Sequence, residues 1–275
     1  MITNAMTIDV EDYFQVSAFE KHIDRNDWDN ISCRVENSTN RVLDLLGNSN
    51  VKATFFVLGW VAERYPGLVK RIVSEGHELA SHGLSHIRVT QQTREQFRED
   101  VISTKALLED ISGSEIKGYR AASYSINKSN LWALEVLAET GHIYSSSIYP
   151  IKHDLYGIPD APRFKYNPIK NCDFIEVPVT TVEKFGKKMP CGGGGYFRLY
   201  PYSLSRWAIK QVNKVDRQSS VFYFHPWEID PNQPRQKNIG GKTRFRHYLN
   251  LGKMENRLTR LLNDFSWGRM DEIFL

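Results

Sequence analysis

The sequence predicts an α/β fold, a parallel barrel, and three observations lead there. Short runs of β-branched and aromatic residues alternate with segments of helical apolar spacing, about seven times over, which argues for crossover helices and against a sandwich. The length of 275 residues is close to the ~200–250 that such barrels fill as one domain. Acidic, imidazole and guanidinium groups fall at the ends of successive strands, and in an α/β barrel those ends share the face that carries active sites.

Taken in order, residues 5–9 read as a buried strand that runs into Glu11 and Asp12. Residues 37–46 place Val42, Leu43 and Leu46 on one helical face, with Gly47 as the stop signal. Residues 51–58 are a second strand, followed by a helical piece over 61–64 and another opened by Pro66. Residues 77–81 are a third strand, and 93–111 a helix whose start, Thr93 with Gln96, is a capping box. A strand over 116–122, a helix over 131–140 ended by Gly141 and a strand over 142–148 continue the alternation. Residues 149–171 hold Pro150, Pro159, Pro162 and Pro168 and read as a long loop able to cover one mouth; 190–195 read as a second flexible piece. Strands over 174–180 and 221–225 flank a helix over 204–215. Residues 1–275 are expected to form a single domain, a barrel to about 230 and a C-terminal extension over 231–275 with a helix over 254–265.

Hydrophobic residues at 41% and charged residues at 25% are globular values and exclude a disordered or collagen-like chain. The longest apolar run, residues 53–62, stops at Glu63, well short of the ~20 residues of a membrane span. No basic and apolar leader pattern follows Met1, so the expected compartment is the cytoplasm. Cys33, Cys172 and Cys191 have neither the even count nor the close spacing of a disulfide framework or zinc ribbon and read as inert thiols. A net charge of +4 is too small to predict a nucleic-acid partner.

The strand-end residues are Asp9 and Glu11, then His82 and His86, then Arg120, and last His225. Two histidines spaced i, i+4 on a helical turn reach one cation, and a carboxylate completes a three-ligand site with a position left for water. Such a site suits hydrolysis, which also needs a base for the water's proton and an acid for a poor leaving group; Asp9 and His225 are the candidates. Plain structural readings stand beside these: Asp9 as a turn residue, Arg120 as an ordinary ion-pair partner, H-x-x-x-H as an accidental surface pair. His77-Glu78 does not open an H-E-x-x-H motif, because position 81 is Ser, and His77 reads as structural. The four glycines after Cys191 lack the Lys-Ser/Thr ending of a phosphate loop. Phe222, Tyr223 and Phe224 read as barrel core, and Trp227 as core or a stacking surface. The basic C-terminal segment, with Arg244 and Arg246, reads as a solvated face or a phosphate site.

Several segments together resemble the NodB-homology polysaccharide deacetylases, carbohydrate esterase family 4, and within them the subfamily of exopolysaccharide loci. They are Thr7-Ile8-Asp9-Val10-Glu11-Asp12-Tyr13-Phe14, Ala53-Thr54-Phe55-Phe56-Val57, Ser81-His82-Gly83-Leu84-Ser85-His86, Gly118-Tyr119-Arg120 and Phe224-His225-Pro226-Trp227. His153-Asp154-Leu155-Tyr156-Gly157-Ile158-Pro159 and Phe265-Ser266-Trp267-Gly268-Arg269-Met270 resemble the subfamily. The resemblance spans nearly the whole chain and implies a distorted (β/α)7 barrel holding one divalent metal, zinc by first choice, through a carboxylate, His82 and His86. It implies removal of N-acetyl groups from amino sugars of a polysaccharide or its precursor by water at the metal, with Asp9 as base, His225 as acid and Arg120 positioning the base. Tyr124 and Trp227 are the expected substrate contacts, and the partner is an N-acetylated glycan.

Three positions depart from the family pattern. Val10 follows Asp9 where a second aspartate is usual, which leaves the carboxylate ligand open. If the strand runs on through residue 11, alternation puts Asp9 and Glu11 on one face and Asp12 on the other, so Glu11 is favoured and Asp12 is second. Ala122 replaces a proline, and Ser145 stands where an aspartate is expected, with altered substrate contacts as the implied result. Two alternatives accompany the deacetylase reading: hydrolysis of another C–N bond, in a cyclic amide or ureide, on the same fold, and a non-catalytic carbohydrate-binding protein.

Overall fold

The strand β1, Thr3–Val10, is buried from its second residue to its last and contains neither Gly nor Pro, as expected of a parallel strand covered on both faces. The computed structural model in which it is seen describes every residue except Met1, Leu155 and Asn238. After β1 come α1 (Val35–Asn48), β2 (Thr54–Val57), α2 (Gly59–Arg64), α3 (Pro66–Ser74), β3 (Glu78–Ser81), α4 (Arg94–Ser112), β4 (Gly118–Tyr119), α5 (Trp132–Glu139), β5 (Tyr144–Ser145) and β6 (Ile175–Glu176). A hairpin of β7 (Thr181–Lys184) and β8 (Lys187–Pro190) precedes α6 (Gly194–Leu199), α7 (Tyr202–Gln211) and β9 (Val221–Phe224). The chain ends in α8 (Gly241–Tyr248), α9 (Leu251–Asp264), β10 (Ser266–Gly268) and α10 (Met270–Phe274).

The main sheet has eight strands in the order β10-β1-β2-β3-β4-β5-β6, with β9 also pairing β1, and all its pairings are parallel. Without β10, which pairs only residues 3–5 of β1, seven strands remain, as expected. The sheet curls without closing fully. Between β6 and β9 the gap is crossed by Val179 N donating to Ile148 O (3.0 Å), Val221 N to Thr180 Oγ1 (2.6 Å) and Tyr223 N to Gly192 O (2.7 Å). The register sets the strand ends level: Asp9 lies beside Phe56, Phe56 beside Ala80, and Ser81 beside Tyr119. The residues that follow these strands therefore gather at one mouth. The largest core cluster joins β1 and β2 to α1, α3 and α9 through Ile8, Phe55, Val42, Leu43, Ile72 and Leu258.

The predicted helices and strands before residue 148 are all present, and α4 begins on the expected box, Thr93 Oγ1 accepting from Gln96 N and Gln96 Oε1 from Thr93 N. Three expectations are corrected. Gly47 does not stop α1, which runs to Asn48 and turns at Ser49. Residues 190–195 are not a free turn: Gly193 forms a bridge to Tyr223 and α6 starts at Gly194. A side chain at Gly193 would run into the Tyr223 carbonyl, and its φ of +116° is one that only glycine takes readily. The strands expected over 116–122, 142–148 and 174–180 shrink to two residues each. The segment 231–275, expected as a C-terminal extension of the same domain, returns to the sheet, where β10 pairs with β1. In the loop over 149–171, which the expectation placed at one mouth, Leu155 lies outside the described residues; Tyr156 lines the pocket at the strand ends.

Candidate active site

The end of β1 supplies the two carboxylates. Asp9 is its penultimate residue, and Glu11, just past Val10, still faces the same side, with its N–H held by Asp9 O at 3.1 Å. Val10 faces the core instead and is fully buried. Asp12 turns away: its Oδ2 accepts from the backbone N–H groups of Arg34 (2.6 Å) and Val35 (2.9 Å) and its Oδ1 from Tyr13 N (2.8 Å). It thus caps the start of α1, spending its lone pairs on amides the helix leaves unpaired. Burial pushes its carboxyl up to about 6 against those hydrogen bonds.

His82 and His86 do not sit on a helical turn. They flank a loop after β3 in which Gly83 (φ +76°) and His86 itself (φ +52°) are left-handed, and Leu84 N is held by Asp100 Oδ1 at 2.8 Å. His82 Nδ1 lies 2.8 Å from Arg120 O, which fixes a tautomer with Nε2 as the free lone pair. Among the described residues, Glu11, His82 and His86 bring three possible ligand atoms within 4.8 Å of one another, all buried. Glu11 Oε2 is 2.8 Å from His86 Nε2 yet is a buried atom with no aligned hydrogen-bond donor. Two imidazole nitrogens and a carboxylate oxygen that converge in a buried pocket are a donor set that fits a divalent metal. Burial raises the Glu11 carboxyl, but the imidazoles of His86, His225 and His82 outweigh it and hold it at about 2.

Arg120, fully buried, is the hub of one wall. Its Nη1 donates to Asp9 Oδ1 (2.6 Å) and Thr7 Oγ1 (2.7 Å), and Nε and Nη2 donate to Ser146 O (3.0 Å) and Oγ (2.9 Å). Its guanidinium lies 4.0 Å over the Phe56 ring. The opposite wall begins at the end of β9, where His225 precedes a 3-10 turn opened by Pro226. His225 Nδ1 is 2.8 Å from Glu228 Oε1, and Nε2 points into the pocket, 3.4 Å from Glu11 Oε1 and 3.9 Å from Asp9 Oδ2. Glu228 is fully buried and accepts from Arg198 Nε at 2.5 Å. Burial alone would lower the His225 pKa; the carboxylates of Glu11, Glu228 and Asp9 outweigh it and push it up to about 9.

Asp9, Glu11, His82, His86, Tyr124, His225 and Trp227 thus line one pocket of about 160 Å³, with Tyr156, Tyr223 and Ser123 at its sides. Trp227 is both wall and core: its ring stacks on His225 at 5.2 Å and on His247 at 4.4 Å. Tyr124 OH reaches to 3.5 Å from Asp9 Oδ2. Ser145 is absent from the lining; it is fully buried, its Oγ bonded to that of Ser147 at 2.7 Å. His77 is structural, its Nδ1 accepting from Ala53 N at 3.1 Å. The sequence reading passed over Glu228 and Arg198. Glu228 had a visible signal, because His225-x-x-Glu228 has capping-box spacing and the box is formed, Glu228 Oε1 accepting from His225 N at 3.1 Å. Arg198 had none. Tyr223, assigned to the core, is buried in a cluster with Tyr124, Tyr149 and Val179 and in addition lines the pocket, on the strand face opposite to Phe222 and Phe224.

No helix among the described residues is long and apolar enough to cross a membrane. Residues 27–142 match the polysaccharide deacetylase family, and residues 146–275 match a domain of unknown function, DUF3473. The first match holds His82, His86 and Arg120, the second His225 and Glu228. The chain is 39% identical over 98 residues to a peptidoglycan-N-acetylglucosamine deacetylase of Bacillus cereus, covering 35% of this chain and 36% of that one. It is 31% identical over 97 residues to a chitooligosaccharide deacetylase of Bradyrhizobium, 35% of this chain and 42% of that one. The match to the peptidoglycan-N-acetylglucosamine deacetylase PgdA of Listeria monocytogenes covers 32% and 19%. The chain thus spans well under half the length of these curated relatives. In fold it is similar to a Mycobacterium smegmatis protein assigned to the polysaccharide deacetylases, with TM-score 0.65 at 18% identity over 98% of this chain and 88% of the other. It is also similar to the Puue allantoinase, with TM-score 0.62 at 14% identity over 99% and 88%. Together with the motifs gathered around the pocket, these matches show a polysaccharide deacetylase domain over residues 27–142, followed by the second matched domain that carries His225 and Glu228.

Proposed function

We propose that this protein hydrolyses the N-acetyl group of an amino sugar in a polysaccharide or its glycan precursor, of the kind made by exopolysaccharide loci. The observation that carries this reading is the convergence, in one pocket, of a metal-capable Glu11-His82-His86 set with Asp9 on one side and His225 on the other. A divalent cation held there, zinc by first choice for two imidazoles and a carboxylate, would supply Lewis acidity toward water and the amide carbonyl. Asp9, fixed by Arg120, accepts the proton of the attacking water. The C–N bond breaks, the acyl carbon leaves as acetate, and His225 Nε2 delivers a proton to the departing amine. Glu228 keeps the His225 Nδ1 proton in place and Nε2 aimed at the pocket. Tyr124 and Trp227 contact the sugar. The site draws on β1, β3, β4 and β9, which supports treating residues 1–275 as one functional unit.

Metal content and acetate release test this together. The native protein should hold about one equivalent of transition metal, weakly held or lost in His86→Ala, and release acetate from N-acetylglucosamine oligomers. Metal bound equally by both proteins would overturn the ligand assignment. Turnover of allantoin with no acetate from any glycan would replace the deacetylase reading with the cyclic-ureide one.

A further inference from the structure

A second cavity, of about 290 Å³, adjoins the pocket and shares Tyr156 and Tyr223 with it. Its walls come from α6 and its end (Gly195, Tyr196, Leu199), from α8 (Phe245, Arg246) and from the 149–171 loop (His153, Tyr156). Nothing in the proposed reaction uses it. Phe245 and Leu199 are 57% and 47% exposed there, while most side chains of that bulk are buried. The His153 ring stacks on Tyr156 at 4.0 Å and 14°, so the aromatic surface is stiffened before any ligand arrives. Ring faces set beside a polar rim are suited to the apolar face of a sugar.

Charge narrows the occupant. The α8 helix carries Lys242, Arg244 and Arg246 and no carboxylate. Lys242 and Arg246 share one acid, Asp154, at 3.7 Å each, and all three are about half exposed or more. Such long, solvated pairs hold their members weakly. Asp154 is also met by His153 Nε2 at 3.1 Å, and two cations against this one carboxylate leave the rim net positive, so that a carboxylate on the sugar finds a partner in Arg246.

We propose that this cavity is a subsite for a uronate-type sugar adjoining the N-acetylated unit in the metal pocket, so that the protein prefers acidic glycans. The inference rests on the deacetylase reading for its orientation, and its test reads binding as well as turnover. Metal-loaded protein is titrated calorimetrically with a hyaluronan hexasaccharide, in which N-acetylglucosamine alternates with glucuronate, and with neutral chitohexaose; acetate release is followed for both. The wild type should bind the acidic hexasaccharide about tenfold tighter, a difference of about 1.4 kcal/mol. Arg246→Ala should abolish that preference, and Phe245→Ala should weaken both ligands. Phe185→Ala, at an exposed aromatic on the β7–β8 hairpin, should keep the preference. Equal affinity of the wild type for the two hexasaccharides overturns the proposal, as does a preference that survives Arg246→Ala. Arg246-dependent binding of UDP-N-acetylglucosamine without Arg246-dependent binding of the uronate ligand also overturns it, in favour of a phosphate. Acidic preference in binding with no acetate released from either glycan keeps the subsite and removes the deacetylase reading.

Discussion

On one wall of the pocket a buried guanidinium touches the pocket carboxylate directly; on the other a buried carboxylate stands between the guanidinium and the pocket imidazole. Arg120 grips Asp9 at 2.6 Å and spends its remaining donors on Thr7 and Ser146. Arg198 grips Glu228 at 2.5 Å and spends its remaining donors on the carbonyls of His247 and Leu249, and Glu228 in turn holds His225. The first arrangement sets the Asp9 carboxyl directly against a fixed cation at the pocket wall. The second favours a protonated base there, because two carboxylates in front and one behind stabilise the imidazolium. Otherwise similar buried pairs thus set the Asp9 carboxyl on one wall and an imidazolium on the other by exchanging the order of the charges.

The sharpest way to break the comparison is to remove the first guanidinium. Arg120→Met leaves the buried Asp9 without its guanidinium, a change that costs ~3–5 kcal/mol in comparable buried pairs. Its Tm should fall by about 10 °C, at ~2–4 °C per kcal/mol for a chain of this size, with acetate release lost; a variant as stable as wild type in thermal unfolding would show that Asp9 does not need its partner. Next, His225→Ala should retain metal while kcat falls ~10²–10⁴-fold, the usual worth of a general acid. Single-turnover acetate release measures this, and an unchanged kcat would remove His225 from the reaction.

A milder probe is Glu228→Gln, which keeps shape and an acceptor for Nδ1 but removes the charge. A fall in kcat of about tenfold to a hundredfold with little change in KM is expected, the usual range for a partner behind a functional histidine. Stability carries a separate signature. Burial alone would raise the Glu228 carboxyl, but Arg198 and His225 hold it down to about 2 in the folded state, against 4.5 as its ordinary value. A depressed carboxylate contributes stability above its unfolded value and loses it as pH falls through the folded one. The gap between wild type and Glu228→Gln in urea unfolding should therefore be widest above pH 4.5 and close as pH falls toward 2. A gap independent of pH would mean that Arg198 and His225 do not hold the charge.

Legibility differs between the two walls for a physical reason. Asp9, Glu11, His82 and Arg120 follow strands whose apolar runs are visible in sequence, and parallel register makes their ends level, so their convergence could be inferred. Alternation alone could set Glu11 on the face of Asp9, but where Asp12 goes depends on the α1 amides it caps, a tertiary fact. Glu228 was readable as a cap of its own turn; that the cap also orients the imidazole needed coordinates. Arg198 reaches Glu228 from thirty residues away, on a helix opened by glycines whose role is close approach to Tyr223. Beyond residue 148 the strands are two to four residues long, too short for periodicity to speak. There the extent of β6, the β7–β8 hairpin and the helix α8 went unread.

The smallest expected effect lies at the far end of β3 and tests the same rule with the sign reversed. Glu78 is buried where the strand begins, and its carboxyl is met by Thr54 Oγ1 (2.5 Å), Tyr144 OH (2.8 Å) and Asp271 N (3.1 Å), with no guanidinium in contact. Burial first, and then the nearby Asp271 carboxylate, push it up to about 7, from an ordinary value of 4.5. Between those two values the folded state binds the extra proton, so stability falls as pH rises. Glu78→Gln removes the titration while keeping the amide able to accept from Thr54 or Tyr144. Relative to this variant, wild type should lose a few degrees of Tm as pH rises from 4.5 to 7, measured at matched ionic strength. A difference that runs the other way would mean that Glu78 is held ionised by a cation, as Glu228 is, and that the contrast between paired and unpaired buried carboxylates does not hold in this fold.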